Sequence, residues 1–325
     1  MIDQYNRQIE YLRVSVTDRC NLRCVYCMPE EGVELIPHAQ ILTFDEITRI
    51  CCQAAELGIS KIKLTGGEPL ARRGLPELVG MLKKIKGIDQ VTLTTNGILL
   101  KDQIDRLIEH GLDGVNISID TLDPEQYRTV TRCGDVKQAL EGMEAALAYE
   151  QLKVKINCVP LTQTTEEYLR LARLAESRRV EVRFIEMMPI GMGKEYQGKN
   201  RKEIQEILER EFGKAEVYEK RLGNGPAVYI QFSGFEGRIG FISAMSHKFC
   251  DSCNRVRLTS EGFLKLCLQY ETGIDLRKLL REGVTDEVLR QKMKDAIFRK
   301  PACHEFGKNI FSDQKEKKGM SSIGG

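Results

Sequence analysis

The chain has 325 residues, of which 42% are hydrophobic and 30% charged, the proportions of a globular protein with one barrel-sized domain or a domain and an appendage. Its net charge is +2, so no broad basic field directs it to nucleic acid or an anionic surface. No apolar run approaches the roughly 20 residues that a membrane helix needs. The first residues, Met-Ile-Asp-Gln-Tyr-Asn-Arg, lack the apolar core of a signal peptide, which predicts a cytoplasmic protein. Eleven cysteines in a reducing compartment argue for metal or redox chemistry and against a disulfide framework.

In chain order, the first two-thirds alternates strand and helix patterns. Strand-like runs fall at Leu12–Val16, Lys61–Thr65, Val91–Thr95, Gly114–Ile119, Val154–Val159 and Val180–Ile185. Between the first two, Thr43-Phe-Asp-Glu46 is a capping box ahead of Ile47, Ile50, Cys51, Ala54 and Leu57, which share one helical face up to Gly58. A second stripe runs through Leu75, Leu78, Val79, Leu82 and Ile85 to Gly87. Strands alternating with helices of about ten to fifteen residues make βα units around a parallel sheet. Six such units predict an α/β fold, an incomplete (βα)6 barrel over residues 1–213.

Past Gly191 the pattern changes. A helix is expected at Lys202–Phe212, then β-like runs at Glu216–Tyr218, Ala227–Phe232 and Arg238–Ile242. A hairpin over Arg255–Leu268 turns at Ser260-Glu261-Gly262, and helices follow near Leu276–Leu280 and Thr285–Phe298. Residues 214–325 are expected to form a smaller C-terminal antiparallel layer with helices, covering the open side of the barrel. The stretch from Ser312 to Gly325 has the composition of a frayed tail.

Barrel enzymes work at the C-terminal ends of their strands, and there the sequence becomes unusual. Directly after the first strand, Cys20, Cys24 and Cys27 stand at C-x3-C-x2-C. Three soft thiolates suit three irons of a cubane cluster, leaving the fourth iron open. A zinc knuckle would have to borrow His38, beyond Pro37 in a poorly patterned loop. After the second strand, Thr65-Gly66-Gly67-Glu68-Pro69 offers two glycines for close backbone approach and a carboxylate for an ammonium. Alone it equally describes a tight βα turn. A second trio, Cys250, Cys253 and Cys267, is a metal signal for which zinc, completed by His247, and an iron–sulfur cluster are equal readings. Arg255 and Arg257 share one strand face beside it, and guanidinium forks suit phosphate. Cys51 and Cys158 read as core, Cys133 has no metal spacing, and Cys303 with His304 reads as surface.

The cysteine loop and the Gly-Gly-Glu-Pro element resemble the radical S-adenosyl-L-methionine (SAM) enzymes. With the second trio, the run Ser246-His-Lys-Phe-Cys-Asp-Ser-Cys-Asn-Arg-Val-Arg257 and the terminal Gly324-Gly325, the chain resembles the GTP 3′,8-cyclase family from Leu12 to its end. That resemblance implies two 4Fe-4S clusters, one held by Cys20, Cys24 and Cys27 and one by Cys250, Cys253 and Cys267. It implies SAM beside Tyr26, Gly67, Glu68, Ser118 and Met188. The implied substrate is GTP, with its guanine at the second cluster and its phosphates on Arg13, Lys61, Lys63, Lys155, Arg183, Arg255 and Arg257, and Thr94 as a further contact. Lys63 departs from the family, where many members have Arg.

The implied reaction starts with a 5′-deoxyadenosyl radical taking hydrogen from C3′ of the ribose. Attack on C8 of guanine then gives 3′,8-cyclo-7,8-dihydro-GTP, the first step of molybdenum cofactor biosynthesis. No general acid is assignable, and Gly324 and Gly325 would enter the site. The implied partners are a flavodoxin or ferredoxin as electron donor and cyclic pyranopterin monophosphate synthase downstream, with neither nucleic acid nor membrane, and a homodimer as one compatible assembly. Two alternatives are another radical SAM enzyme with an auxiliary cluster, such as a peptide maturase, and a zinc-binding non-catalytic protein.

Overall fold

Along the first strand, Leu12 and Val14 alternate with Arg13, and the same period of two recurs along later strands. Ile62 and Leu64 flank Lys63, Val115 and Ile117 flank Asn116, Val154 and Ile156 flank Lys155, and Val182 and Phe184 flank Arg183. All of these side chains are buried except Arg13, which is half-buried. Each strand therefore packs an apolar edge on one face of the sheet and hides a polar edge on the other.

The computed structural model describes residues 1–161, 163–220, 222–306, 316 and 319–323. The barrel half contains β1 (Tyr11–Ser15), α1 (Phe44–Glu56), β2 (Lys61–Thr65), α2 (Leu75–Lys83), β3 (Gln90–Thr95), α3 (Ile104–Glu109) and β4 (Gly114–Ser118). It continues through α4 (Pro124–Thr131), α5 (Val136–Leu147), β5 (Lys153–Cys158), α6 (Thr165–Arg173), β6 (Glu181–Ile185) and α7 (Arg201–Phe212). The remainder supplies β7 (Glu216–Tyr218), β8 (Val228–Gln231), β9 (Arg238–Ile242), β10 (Arg255–Leu258), β11 (Phe263–Lys265), β12 (Gly273–Asp275), α8 (Leu276–Arg281), α9 (Asp286–Phe298) and α10 (Met320–Ile323). No helix among the described residues is long and apolar enough to cross a membrane.

Local chemistry sets the helix boundaries. Thr43 Oγ1 accepts the Glu46 amide at 3.1 Å while the Glu46 carboxylate accepts the Thr43 amide at 2.8 Å, closing the capping box at the start of α1. The same device opens α6 through Thr164 and Glu167 and α7 through Asn200 and Glu203.

The six βα units are present as expected. The described strands form one sheet, ordered β12-β11-β10-β1-β2-β3-β4-β5-β6-β9-β8-β7. Parallel pairing runs from β10 through β1–β6 to β9. The antiparallel C-terminal strands are also present, but as continuations of the barrel sheet: β11 and β12 extend one edge, β8 and β7 the other. Strands β1 and β6 thus have no bare edges for other chains to pair with.

This attachment has a geometric consequence. Since β9 and β10 both run parallel to the barrel strands, residues 243–254 must return from the C-terminal end of the strands to the N-terminal end. At the far end of the chain, Lys265 and Glu316 form a buried ion pair and Ile323 is buried. The expected roles of Gly324 and Gly325 lie outside the described residues.

Helix α5 sits hard against the loop after β3. A Cβ on Gly142 would lie 2.3 Å from the Gly97 carbonyl oxygen. Overpacking of this kind typically costs about 1–3 kcal/mol. The Gly142→Ala variant is expected to lower the denaturant midpoint by an amount in that range; an unchanged midpoint would mean the helix and loop are not in such contact.

Candidate active site

One cavity of about 340 Å³ is lined by both cysteine trios. They approach it from opposite ends. Cys20, Cys24 and Cys27 follow β1, at the C-terminal end of the strands, whereas Cys250 and Cys253 precede β10 and Cys267 follows the antiparallel β11. The expectation that chemistry gathers at the C-terminal strand ends therefore describes the first trio only. The second sits at the other end because β10 joins β1 in parallel.

At the first end, the glycine loop is fastened to the lead-in of the cysteine loop. Gly67 N donates to Thr17 O at 2.8 Å and Glu68 N to Arg19 O at 2.7 Å. A Cβ on Gly67 would stand 2.3 Å from Arg19 O, so the close approach that needs glycine here is backbone to backbone. The Glu68 carboxylate is buried and accepts from Leu70 N, Thr95 Oγ1 and Asn96 N at 2.8–3.0 Å. Burial pushes it up to about 7 despite these donors. Tyr26 donates to Asp120 Oδ2 at 2.6 Å, and Asp120 Oδ1 accepts Val159 N at 2.8 Å, which fixes the ring between β4 and β5. Ser118, at the end of β4, and Met188, beyond β6, also line the cavity.

The bare thiols resist ionisation. Burial lifts Cys20 to about 11 and Cys24 well above its ordinary value, and Cys24 feels the charges of Asp120, Cys27 and Cys20 as well. Thiols buried like Cys20 and Cys24 become thiolates together only against positive charge, which is what an iron–sulfur cluster supplies. Among the described residues, no three Cys, His, Asp or Glu side chains are gathered closely enough to hold a metal ion between them. His38 and His247, the borrowed zinc ligands of the alternative readings, are exposed and outside the cavity lining.

At the second end, Arg7 is a brace the sequence did not reveal. It pairs with Asp3 at 2.7 Å, donates to the Cys250 carbonyl at 3.0 Å, and donates to the carbonyls of Pro301 and Ala302 at 2.7 Å. Glu186 accepts the amides of Met245 and Ser246 at 2.8 and 2.9 Å, anchoring the returning segment. Burial opposes ionisation of Cys253, but Lys300 and Arg255 outweigh it and leave the thiol below its ordinary value. His304 is not at the surface as expected: it is buried, lines the cavity, and its amide lies 3.4 Å from Cys250 Sγ. Cys303 is exposed as expected, yet it edges the same cavity.

Between the two ends stands a group of buried cations. Arg13 is opposite Arg257 on one side and Lys63 on the other. Lys63 is held well below its usual value by burial and by Arg183, Arg13, Lys155 and Arg255. Arg257 is lowered by burial and by Arg13 and Arg255. Asn116 can accept from both Lys63 Nζ and Arg183 Nη2 with its amide oxygen turned toward them. Lys155 is partly neutralised by Glu181 at 3.1 Å, and Lys61, at the second-trio end of β2, by Glu10 at 2.6 Å. Arg183 Nε, Arg255 Nε and Thr94 Oγ1 are buried without a hydrogen-bond partner among the described residues. Polar atoms buried this way call for a ligand or water.

Comparison with known proteins places the chain in a family. The Radical SAM superfamily model matches residues 14–175 and the Molybdenum Cofactor Synthesis C model matches residues 180–306. Relatives named GTP 3′,8-cyclase are 45% identical in Clostridium perfringens (strain SM101 / Type A) and 43% identical in Petrotoga mobilis (strain DSM 10674 / SJ95). Each alignment covers 100% of both chains. Among solved structures, Streptococcus suis SuiB superposes with a TM-score of 0.62 at 15% identity, over 92% of this chain and 68% of that one. Its S-adenosylmethionine-bound form gives 0.61 at 16% identity, over 90% and 68%. These structural likenesses establish the barrel fold alone. By full-length sequence identity, the chain belongs to the GTP 3′,8-cyclase family of radical SAM enzymes.

Proposed function

We propose that this enzyme converts GTP to 3′,8-cyclo-7,8-dihydro-GTP, the first step of molybdenum cofactor biosynthesis, using SAM and two 4Fe-4S clusters. The observation that carries the reading is one cavity lined by both thiol trios and by Arg13, Arg255 and Arg257, with Lys63 and Arg183 buried close enough to Arg13 to feel its charge. A nucleotide, with a polyanionic end and a planar base, suits a cavity that holds both cations and metal-binding thiols. A peptide-modifying radical SAM enzyme would share the first trio and Gly66-Gly67-Glu68 but has no evident use for these cations.

Cys20, Cys24 and Cys27 would hold the first cluster, leaving one iron for the amino and carboxylate groups of SAM. When bound and reduced, that pair supplies a 5′-deoxyadenosyl radical. The chain's own contribution is placement and exclusion of water. Tyr26, locked by Asp120, presents its ring beside the adenine. Glu68 already accepts three hydrogen bonds and retains acceptor capacity for an ammonium. Gly67, Ser118 and Met188 complete the SAM contacts. Cys250, Cys253 and Cys267 would hold the second cluster, with guanine against its open iron.

Arg13, Lys63, Lys155, Arg183, Arg255 and Arg257 would bind the triphosphate, with Lys61 at the second-trio end and Thr94 on β3. Lys63 offers phosphate a point charge where a guanidinium would offer a fork. We further propose a flavodoxin or ferredoxin as electron donor, cyclic pyranopterin monophosphate synthase as consumer of the product, a cytoplasmic location, and a homodimer as a compatible assembly. These extensions follow from family membership.

Anaerobic incubation of reconstituted enzyme with GTP, SAM and dithionite is expected to release 5′-deoxyadenosine together with the cyclised nucleotide. Release of 5′-deoxyadenosine at the same rate without GTP would count against the substrate. Iron and sulfide analysis tests the two trios separately. Cys24→Ser and Cys253→Ser should each lose about half of the iron of the parent enzyme, whereas loss of all iron in either would show one shared centre.

A further inference from the structure

Beside the second trio, the cavity wall turns from charged to aromatic. Phe249 and Phe306 line it, and the rings of His304 and Phe306 lie 4.6 Å apart at 40°. His304 is 7% exposed, and both of its ring nitrogens are buried without a hydrogen-bond partner among the described residues. The Ala244 carbonyl stands beside the ring but does not reach hydrogen-bond geometry. The His304 main chain, in contrast, is fully engaged: its amide points at Cys250 Sγ at 3.4 Å and its carbonyl accepts from Lys248 Nζ at 3.4 Å.

A buried imidazole with two idle nitrogens is costly unless a partner arrives. Neutral imidazole offers one donor and one acceptor on a flat ring. That is the complement of a purine edge, which also presents donors and acceptors in one plane. The neighbouring phenyl rings supply faces for a planar base. Of the cations proposed for phosphate, Arg255 stands 5.4 Å from the Phe249 ring, so the aromatic wall and the charged wall of the cavity meet at this point.

We infer that His304 is a base-recognition residue, hydrogen-bonding the purine of the bound nucleotide through its ring while its amide steadies Cys250. This rests on the proposed GTP reading and adds a specificity contact to it. The backbone contact fixes the ring's position and leaves the side chain free for the ligand.

The test uses anaerobically reconstituted enzyme with its iron content verified, and measures Kd for GTP and for inorganic triphosphate. His304→Phe keeps the ring stack on Phe306 and removes both polar atoms. It should weaken GTP about 10–100-fold, the loss expected for an unpaired buried polar edge, and leave triphosphate unchanged. His304→Asn keeps a donor and an acceptor and should recover part of the loss. Equal changes for GTP and triphosphate, no change for either, or identical behaviour of the two variants would overturn the inference. So would loss of iron in both variants, which would make the ring part of the metal site. Wild-type enzyme that binds triphosphate but prefers no nucleotide would instead refute the GTP reading itself.

Discussion

The fold is organised around like charges it has placed together. Lys63, Arg183 and Arg257 are buried, Arg13 is half-buried beside them, and these cations stand within reach of one another's fields. Isolated buried ions cost several kcal/mol each, and mutual repulsion adds to that. Some of the charge is met locally, by Glu181 on Lys155 and by Asn116 between Lys63 and Arg183. What compensates at the level of the fold is the opposite face of the same strands, where Leu12, Val14, Ile62, Leu64, Val182 and Phe184 are buried in one apolar core. The period of two along a strand delivers both faces from one sequence.

The position of β10 turns this charged cavity into a two-ended one. Had the C-terminal strands formed a separate layer, the second trio would have been a distant metal site. Parallel pairing of β10 with β1 brings Cys250 and Cys253 to the strand ends opposite Cys20, Cys24 and Cys27. Arg7 then joins the N-terminal segment to Cys250 and to residues 301 and 302. The second end of the site is therefore built from three remote parts of the chain, tied together through the hydrogen bonds of Arg7.

The sequence made the βα units legible because their apolar stripes and caps are local signals. Thr43 and Glu46 announce α1 three residues apart, and the helix begins where they say. Both trios stand out by their spacing and Arg255 with Arg257 by strand parity, which are short-range properties, whereas Arg13, Lys63, Lys155 and Arg183 were expected only from the family resemblance. Three things were not legible. Attachment of β9 and β10 to the barrel edges is a long-range pairing with no local mark. Arg7 reads as an ordinary polar residue until the chain brings Asp3 and four carbonyls around it. His304 reads as surface in the segment Ala302-Cys303-His304-Glu305, because nothing in that composition reports burial. Gly67 was legible as a necessary glycine but for a different reason: it makes room for the Arg19 carbonyl.

The central claim is that the interior is assembled for a polyanion and is electrostatically strained without one. Thermal unfolding of the anaerobic holoprotein, with and without inorganic triphosphate, tests it in wild type and in Lys63→Met. Triphosphate at 100 times its Kd should stabilise wild type by about 2.7 kcal/mol. The Lys63→Met protein should be at least as stable as wild type in the absence of anion, because a buried like charge is gone, and should gain less from triphosphate. A wild-type transition indifferent to triphosphate, with a variant that is simply less stable, would contradict the account.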